Sequence, residues 1–309
     1  MTSGRPLAMV GAVAIGVLTA LQARVNGSLG ASLEDGFVAA AVSFGSGLVI
    51  LVVLSLAVPA GRRGLRVLRE GVRERSVPWW MLIGGFAGAF SVATQSLTVA
   101  VIGVSLFTVG MVAGQAVNGL ILDRVGFGPA GVVAVTMSRV AGGSIAIGAV
   151  LWSVSADSSR EVPGWMLVLP FLVGAGIAWQ QATNGRLRRR VGSALTATAV
   201  NFAGGTLVLV IAAAVHVALA GPPRAFPSDP WLYAGGALGV AYIFIGAAVV
   251  HRTGVLLMGL GAVVGQLTTS VALDALWPTP ASPSLPLGLA VSAVALVGAA
   301  VAVVPRWRR

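Results

Sequence analysis

Residues 110–123 read GMVAGQAVNGLILD and residues 261–274 read GAVVGQLTTSVALD, so Gly110, Gly114, Gln115 and Asp123 recur as Gly261, Gly265, Gln266 and Asp274. Moving outward at the same offset of 151, Trp80, Gly84, Gly85, Gly88 and Gly103 fall on Trp231, Gly235, Gly236, Gly239 and Gly254. Closer to the amino terminus the offset becomes 158, and Gln22, Asn26, Gly27, Phe44 and Gly47 fall on Gln180, Asn184, Gly185, Phe202 and Gly205. The chain is therefore an internal duplication, divided as residues 1–155 and 156–309. Each copy holds five hydrophobic segments. An odd number of crossings per copy makes the second copy enter the membrane from the opposite side.

Composition sets the class independently of the repeat. Of 309 residues, 57% are hydrophobic and only 9% charged, with 42 glycines and a mean hydropathy of +0.93. Too few charges exist to cover a soluble sphere. Glycine weakens soluble helices, but in lipid it lets helices approach closely. With no cysteine, disulfides and thiolate metal sites are excluded. All 20 basic residues are arginine. They cluster in short loops between apolar runs, so membrane topology accounts for the net charge of +11 and no nucleic-acid partner is expected.

Measured against the roughly 20 residues needed to span a bilayer, the apolar runs give ten candidate spans: 7–27, 37–59, 79–100, 103–122, 130–152, 164–183, 194–220, 231–250, 254–275 and 286–305. The predicted fold class is thus all-α integral membrane, ten transmembrane helices as two inverted five-helix repeats. With the amino terminus inside, sixteen arginines fall on the inner face: Arg5, the cluster Arg62, Arg63, Arg66, Arg69, Arg73 and Arg75, then Arg124, Arg186, Arg188, Arg189, Arg190, Arg252, Arg306, Arg308 and Arg309. Only Arg24, Arg160 and Arg224 fall outside. This bias selects two cytoplasmic termini. The openings Pro78-Trp79-Trp80, Pro163-Gly164-Trp165 and Pro230-Trp231 fit helices that start at the headgroup level. The first span is long, ends in polar residues and recurs at 164–185, which argues against a cleaved signal peptide.

The Gln-x-x-x-Asn-Gly end of helix 1, the stretch Ser43-Phe44-Gly45-x-Gly47, the Trp79-Trp80-x4-Gly85 opening of helix 3 and the Ala113-Gly114-Gln115-x7-Asp123 element together resemble the YdcZ-like branch of the drug/metabolite transporter (DMT) superfamily. The resemblance covers nearly the whole chain, once per half. It implies a fused pair of five-helix units in a bacterial cytoplasmic (inner) membrane, expected to act as a monomer. It also implies movement of a small metabolite or drug-like molecule, with export the expected direction. Departures from symmetry exist: Ala182 stands where the first copy has Arg24, Thr269 where it has Asn118, and no arginine matches Arg139.

Inverted repeats of this kind put a binding site near mid-bilayer, at the repeat interface. Gln115 and Gln266 each stand twelve residues beyond Gly103 or Gly254, about 18 Å along a helix, which brings both near the bilayer centre. Asn118 and Thr269 follow on the same helical face. These side chains either bind substrate or hydrogen-bond between helices; Gly110, Gly114, Gly261 and Gly265 read mainly as close packing. Gln22, Asn26, Gln180, Gln181 and Asn184 sit at the ends of helices 1 and 6, as gates at the two mouths or as helix caps. Gln95 has no polar counterpart in the second copy and is a candidate for lining the pathway. Asn201 and His216 read as local hydrogen-bonding groups, and the one other histidine, His251, falls in a loop.

Arg139 lies about ten residues inside the span 130–152, where a charge requires a partner. Recognition of an anionic substrate and a structural pair with Asp123 are its two readings. Asp123 and Asp274 sit at helix ends, as interface groups or as carriers of coupling protons. No carboxylate occupies the middle of any span, which weakens a simple drug/proton antiport model. Metal, Walker and nucleotide-binding signatures are absent, so no cofactor is expected and the chain does not read as an enzyme. The reading is a secondary transporter that moves a small-molecule substrate across the lipid bilayer housing it by alternating access. The alternatives are a noncatalytic scaffold or partner subunit, or a flippase for lipid-linked substrates.

Overall fold

The computed structural model describes residues 4–127, 131–132, 134–156, 163–280 and 282–303, with the side chains of 4–6, 8, 154, 167, 246–257, 260 and 303 excepted. Arg160, Arg306, Arg308 and Arg309, and the side chains at Arg5, His251, Arg252 and Gly254, lie outside the described set.

Every regular element among the described residues is helical. In chain order these are α1 (Gly4–Leu33), α2 (Gly36–Ala57), α3 (Pro59–Arg73), α4 (Gly85–Arg124), α5 (Met137–Ser155), α6 (Gly164–Val191), α7 (Ala194–Ala220), α8 (Gly235–Leu276) and α9 (Leu285–Val303). Short 3-10 turns at Trp79–Met81 and Pro230–Tyr233 lead into α4 and α8. Six helices among the described residues are long and apolar enough to cross a membrane, and α8 carries two shorter apolar stretches, Gly235–Ile245 and Gly261–Leu276.

Several boundaries differ from the sequence reading. The spans expected at 79–100 and 103–122 are the exception: they are the two limbs of Trp79–Arg124, divided at Gly103 where the sequence reading set their boundary. A straight helix of that length would run about 69 Å, more than twice the hydrocarbon thickness. Gly103 resolves this by breaking the helix with φ 83° and ψ 164°, a backbone conformation that only glycine adopts without strain. The spans expected at 231–250 and 254–275 both fall within α8. Helix 1 does not stop at Gly27 but continues to Leu33, because Asn26 and Gly27 are held by a neighbouring helix rather than released into a turn. Helix 5 begins at Met137, not at 130, where Thr136 accepts a bond from the Arg139 N–H as its N-cap. The arginine-rich segment after α2 folds as the amphipathic helix α3, whose buried face is Gly61, Gly64 and Gly71.

Packing rests on glycines, and the contacts recur at the sequence offsets. A Cβ at Gly114 would collide with the carbonyl of Phe171, and one at Gly265 with that of Val13, the position equivalent to 171. A Cβ at Gly174 would strike Met111, and one at Gly16 would strike Ala262, again equivalents. Gly85 abuts the backbone of Asn201 and Gly205, just as Gly236 abuts Ser43 and Gly47. The first helix of each copy thus packs on the long broken helix of the other, α1 on α8 and α6 on α4, while α2 meets α7 and α5 meets α9 across the middle. Van der Waals fit between small residues drives such association in lipid, where no hydrophobic gain is available.

Candidate functional site

Among the described residues every helix except α3 contributes to one cavity of about 510 Å³. This volume suits a drug-sized ligand. Its walls take Ile15, Thr19 and Gln22 from α1, Phe44 from α2, Gln95, Met111 and Gln115 from α4, and Gly142 and Ala146 from α5. Opposite lie Ile177, Gln180, Gln181 and Asn184 from α6, Asn201 and Phe202 from α7, Tyr242 and Gln266 from α8, and Gly298 from α9.

Gln115 and Gln266, placed near mid-bilayer by their spacing, both line this cavity. Neither side chain hydrogen-bonds to another described residue, although Gln266 is only 6% exposed. A buried amide without a protein partner loses solvation unless water or a ligand supplies the bonds. The other amides are partly committed. Gln22 donates through Nε2 to the Gly235 carbonyl at 2.9 Å. Gln180 and Asn184 both donate to Asn201 Oδ1, at 2.9 and 3.2 Å. Asn26 donates to Gln95 Oε1 at 2.7 Å. None of these amides is a helix cap, since α1 and α6 run on to Leu33 and Val191.

Several sequence candidates lie elsewhere. Asn118 donates to the Ala175 carbonyl at 2.6 Å and is spent on α4–α6 packing. Thr269 is half-buried outside the cavity wall. Arg139 occupies the first turn of α5 rather than a deep position, and it pairs with Asp123. Asp274 is 5% exposed and accepts the N–H groups of Val104 and Ser105, both at 2.8 Å. Those are the first free N–H groups after the Gly103 break, so Asp274 caps the second limb of α4 from another helix. Arg24 lies within electrostatic range of that carboxylate. His216 bonds Asp35 at 3.0 Å near the end of α7, a local role. The described residues contain no cluster of three or more His, Cys, Asp or Glu able to hold a metal.

Asn201, Phe44, Phe202 and Tyr242 were not read as site residues. Phe44 and Phe202 were visible as a repeated pair, but their convergence was not. Asn201 replaces Ser43 at the equivalent position, and its longer amide reaches both Gln180 and Asn184.

A family model described as "Putative inner membrane exporter, YdcZ" matches residues 7–152 and again residues 165–302. The chain belongs to this family. The two matches coincide with the two copies found by internal comparison, and they place the chain in the drug/metabolite transporter superfamily as a multi-pass inner-membrane protein. Membership in an exporter family supports a transporter. A search of the curated proteins finds no match to the chain.

Proposed function

We propose that this YdcZ-family protein carries a small molecule through the cavity between two inverted five-helix repeats by alternating access, with export as the net direction and both termini cytoplasmic. The observation that carries this reading is the cavity itself, walled by helices of both copies and centred on two equivalent glutamines with unspent hydrogen-bonding capacity. The reciprocal glycine contacts support an internal two-fold relation. Such a relation lets the halves exchange conformations around a fixed site.

The equivalent amides also differ in a way that supports an inward-facing state. Asn26 is fully buried and bonded to Gln95, whereas its counterpart Asn184 lines the cavity, as does the exposed Gln181. In the proposed orientation Asn26 lies toward the outside and Asn184 toward the cytoplasm. The outer mouth is thus sealed while the inner one admits solute.

The test is a ligand-stabilisation screen of purified protein over amines, amino acids, nucleobases and anionic metabolites, followed by flux of each stabilising compound in proteoliposomes. Saturable flux that drops in Gln115→Ala and Gln266→Ala is expected. Stabilisation without flux for any compound would replace the carrier by a scaffold or partner subunit.

A further inference from the structure

The structure assigns the cavity to uncharged solutes: we infer that the substrate is a neutral, flat molecule with a lactam- or carboxamide-like donor and acceptor, and that ions of either sign are excluded. This rests on the cavity being the transport site.

The cavity wall among the described residues contains no arginine, aspartate, glutamate or histidine. Its one titratable group, Tyr242, is a phenol that stays neutral near pH 7. The membrane charges nearby lie outside the wall, with Arg24 in electrostatic range of Asp274. Asp123 holds Arg139, Asp274 holds the start of an α4 limb, and Arg186 donates to the Gly126 carbonyl at 2.8 Å and lies over the rings of Trp80 and Phe127. A substrate ion entering here would lose its hydration and meet no countercharge, a penalty that neutral hydrogen bonds do not repay.

What the wall offers instead is amide chemistry in both senses. Gln115 and Gln266 have free donors and acceptors, while Gln22 and Gln180 each spend one N–H on protein and keep the other N–H and the Oε1 atom. The stacked rings of Phe44 and Phe202 and the ring of Tyr242 supply flat apolar surface beside them. A primary amide or lactam matches a glutamine side chain donor to acceptor, and a planar heterocycle matches the rings.

The test uses three probes of one shape: quinoline-3-carboxamide, quinoline-3-carboxylate and N-methylquinolinium-3-carboxamide. Binding to full-length protein in detergent is measured by calorimetry, with melting temperature checked for every variant. The neutral amide is expected to bind at least about tenfold more tightly than either ion, and Gln115→Glu or Gln266→Glu should shift preference to the cation. Whichever of the two glutamate variants melts like the parent serves for that comparison. Equal or tighter binding of either ion by the parent protein, or no binding of the neutral amide at millimolar concentration, overturns the assignment. Flux separates this from the transport reading. An ion carried while the neutral probe is refused sinks the neutral-solute inference alone, whereas the neutral probe bound but never carried sinks the carrier and leaves the site's selectivity standing.

Discussion

Phe44 and Phe202, equivalent positions in the two copies, stack with ring centroids 4.7 Å apart and planes 24° from parallel. Each ring also fills the space that a side chain would need at the other's partner glycine. A Cβ at Gly47 would strike Phe202, and one at Gly205 would strike Phe44. The pair thus joins α2 to α7 at the wall of the cavity. Aromatic pairs contribute roughly 0.5 to 1.5 kcal/mol beyond area burial. In thermal unfolding in detergent, Phe44→Leu and Phe202→Leu should therefore couple by about that amount. Strict additivity would show that the rings do not support each other.

The reciprocal glycines make a symmetric prediction. Gly16→Leu and Gly174→Leu should destabilise the protein comparably, by about 1 to 3 kcal/mol or more, because each side chain meets backbone of the opposing helix. Gly148→Leu, where a Cβ meets nothing within 4 Å, serves as the control and should leave the melting temperature nearly unchanged. A large loss in only one of the first two variants would contradict equivalent packing.

Asn118 and Gln115 separate packing from binding. Asn118→Ala should lower stability by roughly 0.5 to 1.5 kcal/mol through loss of its bond to the Ala175 carbonyl. Gln115→Ala should leave stability nearly intact and weaken ligand binding by a similar amount per lost bond. Paired melting and binding measurements check this, and a reversed pattern would exchange the two roles.

Asp123 and Asp274 are equivalent in sequence but differ in structure. Asp274→Ala should cost about 0.5 to 2 kcal/mol, the usual range for a lost N-cap. Asp123→Ala leaves Arg139 without its partner, so the double variant Asp123→Ala/Arg139→Ala should be more stable than Asp123→Ala alone. Melting curves for the three proteins decide it. A double variant less stable than either single one would rule out the pair as Arg139's main interaction.

Orientation is open to labelling in this cysteine-free chain. Single cysteines on the exposed face of α3, for example at Arg66 or Arg69, should resist an impermeant thiol reagent in intact cells and react after permeabilisation. External labelling would reverse the proposed topology.

The sequence by itself determined the helical membrane class and the duplication, because these depend on hydrophobic length and recurrence, both of which are linear along the chain. It also set the boundary between the third and fourth spans at 100–103, where the backbone angles of Gly103 break the helix. Tertiary structure decided which polar groups share a space. Asn26 and Asn184 have the same sequence context, yet Gln95 buries one while Asn201 draws the other to the cavity wall. Gly246 stands where the second copy would need a match for Gln95, and Ser43 stands where the first would need a match for Asn201. Arg139 appeared deep in a span because apolar residues precede it, but the Thr136 cap starts α5 late and leaves Asp123 within reach. Hydropathy reports how far a residue can be buried. Partners depend on which helix lies opposite, and that is set by glycine contacts between segments about 57 to 252 residues apart.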